Sequence, residues 1–417
     1  MAGPQRILYI DLAASVGGSV ISLYELVKGL DRERYEPHVI LRAANPYVTR
    51  FRELGVAVTT LGESGAPAGD EERKLVARVR QAALAQRLKR SSLGERLVHL
   101  VGFYVRAYPR LRREAQELAE IMLAVQPDLV HLNDVICVSR AGIMAARKVG
   151  VPVVCHLRAM AERNYFDRWL SRSLRGFICI SQAVERHERR LGGRVDPSWV
   201  VYNGLDLAEF DQFGDGARTR DGCRDVQLSI PIGDQMVGCV GRLVAWKGQR
   251  VFLRALARLR PRYPSLRGLI VGAPEADGAQ YAQELMELTR QLGLEGEVTF
   301  AGFRQDISHL LRAMDVLVHA STAPEPFGRV IIEGMAAGAP VIGTNAGAVP
   351  EIIEDKVTGL LVPPGDEEAM AEAIAWVLDH PQERQAMCKA ARCNVELKFT
   401  TAKYVQGVER VYEEILR

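Results

Sequence analysis

The chain has 417 residues, of which 48% are hydrophobic and 25% are charged. This length exceeds that of one ordinary domain, so two domains are expected. A net charge of +3 is too small to indicate a nucleic-acid partner, and we expect none. The seven cysteines include no Cys-x-x-Cys pair, which is typical of reduced thiols in a cytoplasmic protein.

The first half of the chain predicts strands that alternate with helices. "RILYI" (6–10) fits a first β-strand better than a signal peptide, and a glycine-rich turn and a helix follow it. Further apolar runs of β-strand type are "HVIL" (38–41), "DLVHL" (128–132), "VPVVCHL" (151–157), "GFICI" (176–180) and "WVVY" (199–202). Continuous apolar strands alternating with helices indicate a parallel sheet that is covered on both faces.

A strongly basic segment interrupts this alternation. Residues 73–113 hold twelve Lys or Arg residues and a single acid, Glu95. The segment includes "LVHLVGFYVRAY" (97–108), which is apolar and aromatic but too short to span a bilayer. Two interpretations fit: an interfacial segment that contacts anionic lipid, or a solvated helix pair packed on its own domain. Because no run of about 18 apolar residues occurs, we predict no membrane span.

A polar, Gly- and Asp-rich stretch between about 203 and 235 predicts a domain boundary. Apolar runs then resume at "MVGCVG" (236–241), "LRGLIVG" (266–272), "VTFAG" (298–302), "VLVHAS" (316–321), "PVIGT" (340–344) and "GLLVP" (359–363). The fold class is therefore α/β, with two Rossmann-like doubly wound domains at 1–203 and 204–399. Ligands bind such sheets at the carboxyl ends of the strands, and a cleft between domains is the expected active site.

Two loops that follow predicted strands carry groups suited to phosphate. In "SVGGSV" (15–20), Gly17 and Gly18 let backbone N–H groups approach an anion at a helix start. In "GRLVAWKGQ" (241–249), Arg242 and Lys247 place two cations in one short loop, which would suit a diphosphate, unless they are surface residues that flank Trp246. Neither loop has the spacing of a dinucleotide fingerprint or of a Walker A motif.

The stretch "EPFGRVIIE" (325–333) has a glutamate at each end. Glu325 precedes a predicted helix and Glu333 lies about one turn inside it, where either carboxylate would accept hydrogen bonds from vicinal sugar hydroxyls. The helix start supplies N–H groups that favour a phosphate. The residues that contribute these groups are Phe327, Gly328, Arg329 and Val330.

Histidines follow two of the apolar strand cores, His131 in "VHLND" and His156 in "CHLRAM". Polar residues at strand ends that face a cleft are binding candidates. The chain lacks Asp-x-Asp, His-Glu-x-x-His, paired Cys-x-x-Cys and Gly-x-Ser-x-Gly motifs, so we predict that no metal is required.

Over nearly its whole length the chain resembles the family 4 retaining glycosyltransferases, which have the GT-B fold. The motifs that carry the resemblance are "GGS" after the first strand, "VVYNGLDLAEF" (200–210), "GRLVAWKGQ", "LIVGAPE" and "EPFGRVIIEGMAAGAPVIGTNAGAVPEII". That family transfers a sugar from a nucleotide-diphosphate donor, with retention at the anomeric carbon and without a metal. The resemblance therefore implies a UDP- or GDP-sugar as co-substrate and no cofactor.

In the second domain, the resemblance assigns roles to residues that match the family's motifs. Arg242 and Lys247 would bind the diphosphate and neutralise the leaving group. Glu325 would contact the hydroxyls of the donor sugar, and Glu333 would bind the ribose. Base selectivity is expected around Phe303 and Arg304 in this sequence.

In the first domain, Gly17 and Gly18 would cap the donor or shape the acceptor side. The family often has His-x-His where this chain has "HLN", so His131 matches the first position and Asn133 replaces the second. We therefore prefer His156 as the catalytic candidate of this domain, with Arg158 beside it as an acceptor or phosphate contact. By resemblance, a final helix from about residue 400 would pack back on the first domain.

The preferred interpretation is a retaining glycosyltransferase with a lipid-linked or polysaccharide acceptor, acting in the cytoplasm at the inner membrane face, with 73–113 as the membrane contact. Three alternatives remain: a soluble enzyme that glycosylates a small molecule or polypeptide, a GT-B epimerase, and a nucleotide-sugar-binding protein without catalysis. The complete set of Arg242, Lys247, Glu325 and Glu333 argues against the last. An epimerase would need acid and base residues that the first domain does not reveal.

Overall fold

The computed structural model describes residues 3–13, 17–62, 107–192, 196–211, 233–274 and 278–417. Most of the basic segment 73–113 lies outside these residues, and so does most of the predicted boundary at 203–235. The described residues form two compact units, and each unit contains one fully parallel sheet.

Unit 1 comprises Met1–Cys179, Glu185–Val200 and Gly407–Arg417. Its sheet has the order β3-β2-β1-β4-β5-β6-β7. The strands are β1 (Gln5–Asp11), β2 (Tyr35–Arg42), β3 (Ala57–Leu61), β4 (Leu129–Asn133), β5 (Val153–Leu157), β6 (Gly176–Cys179) and β7 (Ser198–Val200). The helices described in this half of the chain are α1 (Gly18–Gly29), α2 (Tyr47–Glu53), α3 (Tyr108–Val125), α4 (Ile136–Val149), α5 (Tyr165–Ser171) and α6 (Gln182–Leu191).

Strand β1 shows why this sheet is covered on both faces. Consecutive residues of β1, from Ile7 to Ile10, are all buried, so apolar side chains point in both directions from the strand. Helices on both sides remove this surface from water, as the unbroken apolar run predicts. β1 pairs with β2 on one side and with β4 on the other, where Ile7 lies opposite Leu129.

Unit 2 comprises Ile180–Val184 and Val201–Gln406, and its sheet has the order β10-β9-β8-β11-β12-β13. The strands are β8 (Gln235–Val240), β9 (Leu266–Val271), β10 (Val298–Gly302), β11 (Val316–His319), β12 (Val341–Thr344) and β13 (Leu360–Val362). The helices are α7 (Ala208–Asp211), α8 (Gln249–Leu259), α9 (Ala279–Gln291), α10 (Ile307–Ala313), α11 (Arg329–Ala336), α12 (Val349–Ile352), α13 (Glu367–Asp379), α14 (Pro381–Lys398) and α15 (Thr401–Leu416), which ends in unit 1.

Both sheets have the strand order of a doubly wound fold, which confirms the predicted fold class. The order reverses between β1 and β4 in unit 1 and between β8 and β11 in unit 2. At such a switch point the loops leave the sheet in opposite directions and open a crevice at the carboxyl ends of the strands. The candidate residues of each unit are therefore sought at these two positions.

Candidate active site

In unit 2, close backbone approaches hold the loops that leave β8 and β11 together. A Cβ atom built on Gly248 would lie 1.9 Å from the carbonyl oxygen of Ala320, so only glycine fits there. The backbone N–H of Thr322 also donates to the carbonyl oxygen of Trp246, at 2.8 Å. These contacts place Lys247, which lies between Trp246 and Gly248, beside the loop that contains Glu325.

Lys247 and Glu325 form an ion pair at this position. Lys247 Nζ lies 2.7 Å from Glu325 Oε2, and the two side chains are only 17% and 10% exposed. Ser321 Oγ donates to the same oxygen at 3.0 Å, and His319 Nε2 lies 3.0 Å from it. No residue of the described ranges donates to Glu325 Oε1, so three contacts orient the carboxylate through one oxygen.

The surroundings of Glu325 determine its charge. Burial alone would raise the pKa of Glu325, but the hydrogen bond from His319 and the charge of Lys247 outweigh it and lower the pKa to about 2. Glu325 is therefore an ionised acceptor at neutral pH. The Lys247 ammonium also lies 4.4 Å from the centre of the Trp246 ring, which adds a cation–π contact.

The backbone of Glu325 is fixed as tightly as its side chain. Glu325 forms an isolated parallel bridge with Gly347, and its carbonyl oxygen accepts from the N–H of Ala348 at 2.8 Å. Gly347 has a φ of +64°, and a Cβ atom there would lie 2.3 Å from the Glu325 carbonyl oxygen. Position 347 thus requires glycine for two independent reasons.

Helix α11 begins directly after Gly328, whose φ is +100°. Its first N–H groups have no acceptor within the helix, which makes the helix start suited to a phosphate. The Phe327 side chain does not take part, because it is buried against Tyr202 and Phe399, with ring centres 6.2 and 6.0 Å away. Phe327 can therefore contribute only its backbone to a ligand site.

Three further residues that were predicted to contact the nucleotide-sugar donor already have protein partners: Arg329, Glu333 and Arg304. Arg329 Nε donates to Glu333 Oε1 at 3.2 Å, so the predicted ribose carboxylate is paired one turn along α11. Arg304 makes a two-bond contact with the Asp306 carboxylate, at 2.8 and 2.6 Å. Val330, in the first turn of α11, is half-buried.

Two of the predicted site residues in the same unit have exposed side chains. Arg242 is exposed, and its carbonyl oxygen accepts from Gln249 Nε2 at 2.8 Å, which holds the backbone of the loop. Phe303 is 74% exposed at the end of β10, where the sequence predicts base selectivity. Both are accessible to a ligand.

In unit 1, a polar network lies at the switch point between β1 and β4. Asn133 donates through Nδ2 to Asp11 Oδ2, at 2.7 Å, and to the carbonyl oxygen of Ser19, at 3.2 Å. Its amide oxygen accepts from Arg158 Nε at 2.8 Å. Asn133 is fully buried and orients Arg158, and the acceptor contact predicted for Asn133 stays a prediction. Burial raises the pKa of Asp11 to about 6, although the hydrogen bonds from the backbone N–H of Ala13 and the side-chain amide of Asn133 lower it.

His131 and His156 form a buried chain of hydrogen bonds with two tyrosines. His156 Nδ1 lies 3.2 Å from His131 Nε2, and His131 Nδ1 lies 2.6 Å from the Tyr412 hydroxyl. Tyr412 in turn donates to the Tyr9 hydroxyl at 3.1 Å. One assignment satisfies all three contacts, with each histidine neutral and protonated on Nδ1.

This chain of bonds gives both histidines a structural role, and the catalytic and acceptor roles predicted for them stay predictions. Their rings are fully buried, and burial together with the charge of Arg158 holds both pKa values well below the ordinary value of 6.5. Neither ring is accessible to solvent in this structure. The structure instead gives them a part in joining the last turns of α15 to β4.

Gly17 and Gly18 stand at the start of α1, as predicted. A Cβ atom built on Gly17 would meet no protein atom within 4 Å, so protein packing does not require glycine there. Gly18 is exposed. Residues 14–16 of the same loop lie outside the described ranges.

Sequence reasoning missed four residues of these networks: Asp11, His319, Ser321 and Tyr412. Asp11, His319 and Ser321 follow apolar strand cores, which is the signal that selected His131. Tyr412 lies on a helical apolar face, and nothing in the sequence distinguishes its buried hydroxyl. Among the described residues, no cluster of three or more His, Cys, Asp or Glu side chains could hold a metal ion.

Two family models match the chain. The model described as Glycosyltransferase Family 4 matches residues 16–209, and the model described as Glycosyl transferases group 1 matches residues 225–393. They thus cover the two halves that the structure resolves into units with separate sheets.

Curated relatives have similar descriptions. A D-inositol 3-phosphate glycosyltransferase of Corynebacterium kroppenstedtii is 32% identical over 222 residues, which are 52% of this chain and 48% of the relative. The lipopolysaccharide core biosynthesis mannosyltransferase LpcC of Rhizobium leguminosarum is 28% identical over 278 residues, 66% of this chain and 75% of the relative. The chain spans about half the length of the inositol phosphate glycosyltransferases that it matches.

Solved structures extend the similarity to the whole chain. Anabaena Alr3699/HepE in complex with UDP and glucose has a TM-score of 0.77 and 26% identity, covering 98% of this chain and 99% of that chain. A glycosyltransferase from Rickettsia africae has a TM-score of 0.80 at 21% identity, covering 99% of each chain, and supports the fold alone.

Proposed function

The chain belongs to the glycosyltransferase families whose models match its two halves, and on that premise we propose that it transfers a sugar from a nucleotide-diphosphate-sugar donor to an acceptor. The observation that supports the proposal most directly is the Lys247–Glu325 pair, held by Ser321 and His319. It places one cation and one ionised carboxylate together at the switch point of unit 2. A sugar diphosphate offers a partner for each.

The cations act on the leaving group. As the bond from the anomeric carbon to the diphosphate breaks, its electron pair remains on the phosphate oxygen, where negative charge grows. Lys247 has three N–H donors, of which Glu325 accepts one, so others remain for phosphate. Arg242 in the same loop and the start of α11 add positive potential. Such groups favour the transition state because the charge is larger there than in the bound donor.

The carboxylates hold the rest of the donor. Glu325 accepts hydrogen bonds from hydroxyls of the sugar through Oε1, the oxygen to which no described residue donates. Glu333 binds the ribose while Arg329 holds its other oxygen. Phe303 and Arg304 select the base. The complex of Anabaena Alr3699/HepE with UDP and glucose supports a UDP-sugar, and the similarity to a mannosyltransferase keeps a GDP-sugar open.

The reaction needs no nucleophile from the protein. The acceptor hydroxyl attacks the anomeric carbon from the face that the diphosphate leaves, and the departing phosphate oxygen takes the hydroxyl proton. This sequence retains the anomeric configuration and requires no metal. It also agrees with the burial of His131 and His156, since it asks neither ring to act as a base.

On this proposal the acceptor is a lipid-linked or polysaccharide molecule. The enzyme meets it in the cytoplasm, at the inner face of the membrane. The similarity to a D-inositol 3-phosphate glycosyltransferase and to a lipopolysaccharide core mannosyltransferase supports a phosphorylated or glycan acceptor. Arg158, oriented by Asn133, supplies a cation for it in unit 1. Segment 73–113 stays a predicted membrane contact outside the described residues. No described helix combines the length and the apolar character that a membrane crossing requires.

A donor panel tests the proposal. Purified protein is heated with UDP- and GDP-sugars, and a true donor raises the melting temperature by mass action. Lys247→Ala should lose nearly all transfer, measured as acceptor-dependent release of nucleoside diphosphate, while circular dichroism shows a folded chain. Arg250→Ala is the matched control, since it removes a cation nearby whose ion pair with Glu284 is exposed. Near-normal turnover of folded Lys247→Ala would overturn the assignment.

A further inference from the structure

Aromatic side chains cluster on a short helix of unit 1 that the proposed reaction does not use. Helix α5 carries Tyr165 and Trp169, which are 64% and 45% exposed. They are four residues apart and so lie on one face of the helix. Phe166 stacks on Trp169, with ring centres 5.8 Å apart, and Tyr108 contacts Phe166 edge-on at 6.3 Å.

Arginines lie over these rings. The guanidinium of Arg147, at the end of α4, is 4.5 Å from the centre of the Trp169 ring, and that of Arg168 is 5.8 Å from the Tyr165 ring. Both arginines are exposed. We call this surface the α5 patch. Its members are Tyr108, Arg147, Tyr165, Phe166, Arg168 and Trp169.

The α5 patch is positively charged overall. The acid within α5, Asp167, is buried and accepts two hydrogen bonds from Arg140, at 2.6 and 2.9 Å, so it does not offset the surface arginines. Exposed Arg110 and Arg172 lie near the patch in sequence, and Glu162 is the exposed acid that precedes α5.

The α5 patch differs from other exposed apolar positions. Outside it, the large hydrophobic side chains described as exposed lie one to an element or in loops; they are Leu123, Val138, Met286, Phe303, Val357 and Leu397. Single exposed apolar residues are ordinary in soluble proteins. Two exposed aromatics on one face of a helix, each with an arginine over its ring, are not ordinary, and they mark an interaction surface.

We propose that the α5 patch is a contact site for an anionic lipid bilayer. Tyr and Trp favour the membrane interface, where the ring is buried and the polar atom stays hydrated. The arginines complement the phosphates of anionic headgroups. A helix of seven residues lies in such an interface and cannot cross it.

Local structure presents this surface in a fixed orientation. The side chain of Asn164 accepts from the backbone N–H of Asp167 at 2.9 Å, and the side chain of Asp167 accepts from the backbone N–H of Asn164 at 3.1 Å. These two hydrogen bonds form a capping box at the start of α5. The Arg140–Asp167 pair then fastens α5 to α4. The patch therefore needs no ordering on binding. It rests on the proposed function only in that a membrane acceptor gives the contact a use.

Vesicle binding tests the proposal. Wild-type protein should sediment with vesicles of phosphatidylcholine and phosphatidylglycerol and much less with phosphatidylcholine alone. Because each arginine near an anionic surface contributes about 1 kcal/mol, Arg147→Gln with Arg168→Gln should weaken binding about thirtyfold. Tyr165→Ala with Trp169→Ala should also weaken it. Leu123→Ala is the control, since it removes a 63% exposed apolar side chain near the far end of α3.

A fluorescence experiment separates the α5 patch from segment 73–113. The difference between wild-type emission and that of Trp169→Phe isolates Trp169, which should shift to the blue on adding anionic vesicles and be quenched by brominated lipid. Vesicle binding without any change at Trp169 would overturn the proposal, as would absence of binding. Loss of a dimer in the aromatic variant, seen by sedimentation velocity, would assign the patch to a second copy instead.

The same variants keep this inference distinct from the proposed function. None of the changed residues belongs to the donor site, so donor-induced melting shifts should stay at the wild-type value. If no nucleotide sugar stabilises the protein but the α5 variants still lose vesicle binding, the catalytic proposal fails and the membrane contact stands.

Discussion

The Lys247→Met substitution tests the central contact of the donor site. It removes the ammonium that lies 2.7 Å from Glu325 Oε2 but keeps an aliphatic chain of similar length against Trp246. The carboxylate then stays buried with Ser321 and His319 as its partners. A hydrogen bond to a charged group contributes about 1.5–3 kcal/mol, and two contacts remain, so we expect a loss of about 2 kcal/mol in the free energy of unfolding.

The lowered pKa of Glu325 determines the pH range over which the contacts of its carboxylate stabilise the fold. Its depression from 4.5 to about 2 corresponds to about 3 kcal/mol of stability from all contacts of the ionised carboxylate. For a depressed carboxyl pKa, this stability is fully present above the unfolded-state value and is lost as pH falls toward the folded-state value. About 2 kcal/mol should be lost between pH 6 and pH 3.

The assay is urea unfolding of four proteins at pH 6 and pH 3: wild type, Lys247→Met, Glu325→Gln and the double variant. The cycle at pH 6 isolates the coupling between the two side chains, which should be at least about 1 kcal/mol. The stability advantage of wild type over Glu325→Gln should shrink at pH 3. An advantage that is the same at both pH values would refute the conclusion that these contacts keep Glu325 ionised.

Three further substitutions test single contacts. Gly347→Ala should lower kcat, measured by steady-state kinetics, because the new Cβ displaces Glu325. Gly365→Ala is the control: Gly365 has a similar positive φ but no atom within 4 Å of the new Cβ, so this change should lower stability and leave kcat unchanged. Glu333→Gln should raise the dissociation constant of the donor more than it slows single-turnover transfer. Tyr412→Phe should cost about 1–3 kcal/mol of unfolding free energy, measured in urea, because it leaves a buried imidazole N–H without an acceptor, and donor affinity should not change.

The sequence was sufficient to predict the two sheets because their strands are buried on both faces. An unbroken apolar run such as Ile7–Ile10 has one stable environment, the interior of a parallel sheet. Polar residues directly after such runs then mark the carboxyl ends of the strands. That rule selects Arg158, which follows β5, and the site roles assigned from it stay predictions.

Pairing between distant residues could not be predicted in the same way. Lys247 and Glu325 were assigned to different parts of the donor, yet the structure joins them, because β8 and β11 are neighbours only after the chain crosses over β9 and β10. His131 has the same sequence signal as Asn133, but its partner, Tyr412, lies 281 residues away. A partner so distant leaves no local pattern.

The buried carboxylates of Glu325 and Asp11 have opposite surroundings, and this predicts where pH affects stability. Glu325 has a cation at 2.7 Å, whereas Asp11 has only neutral donors in direct contact, the amide of Asn133 and the N–H of Ala13. Burial therefore dominates at Asp11 and raises its pKa from 3.8 to about 6. Between these values the folded state binds more protons than the unfolded state, so stability falls as pH rises.

The raised pKa of Asp11 corresponds to about 2.5 kcal/mol of stability lost between pH 3.8 and pH 7. The amide of Asp11→Asn cannot ionise, so this variant should not show the decline. In urea unfolding, its free energy of unfolding relative to wild type should therefore increase from pH 4.5 to pH 7.5. Any cost of the amide itself is the same at both pH values and does not affect this trend. Asp31→Asn, which replaces an exposed aspartate of the same unit, is the control for removing a carboxylate. If Asp11→Asn and wild type keep a constant difference across this range, Asp11 is already ionised and Asn133, not burial, determines its charge.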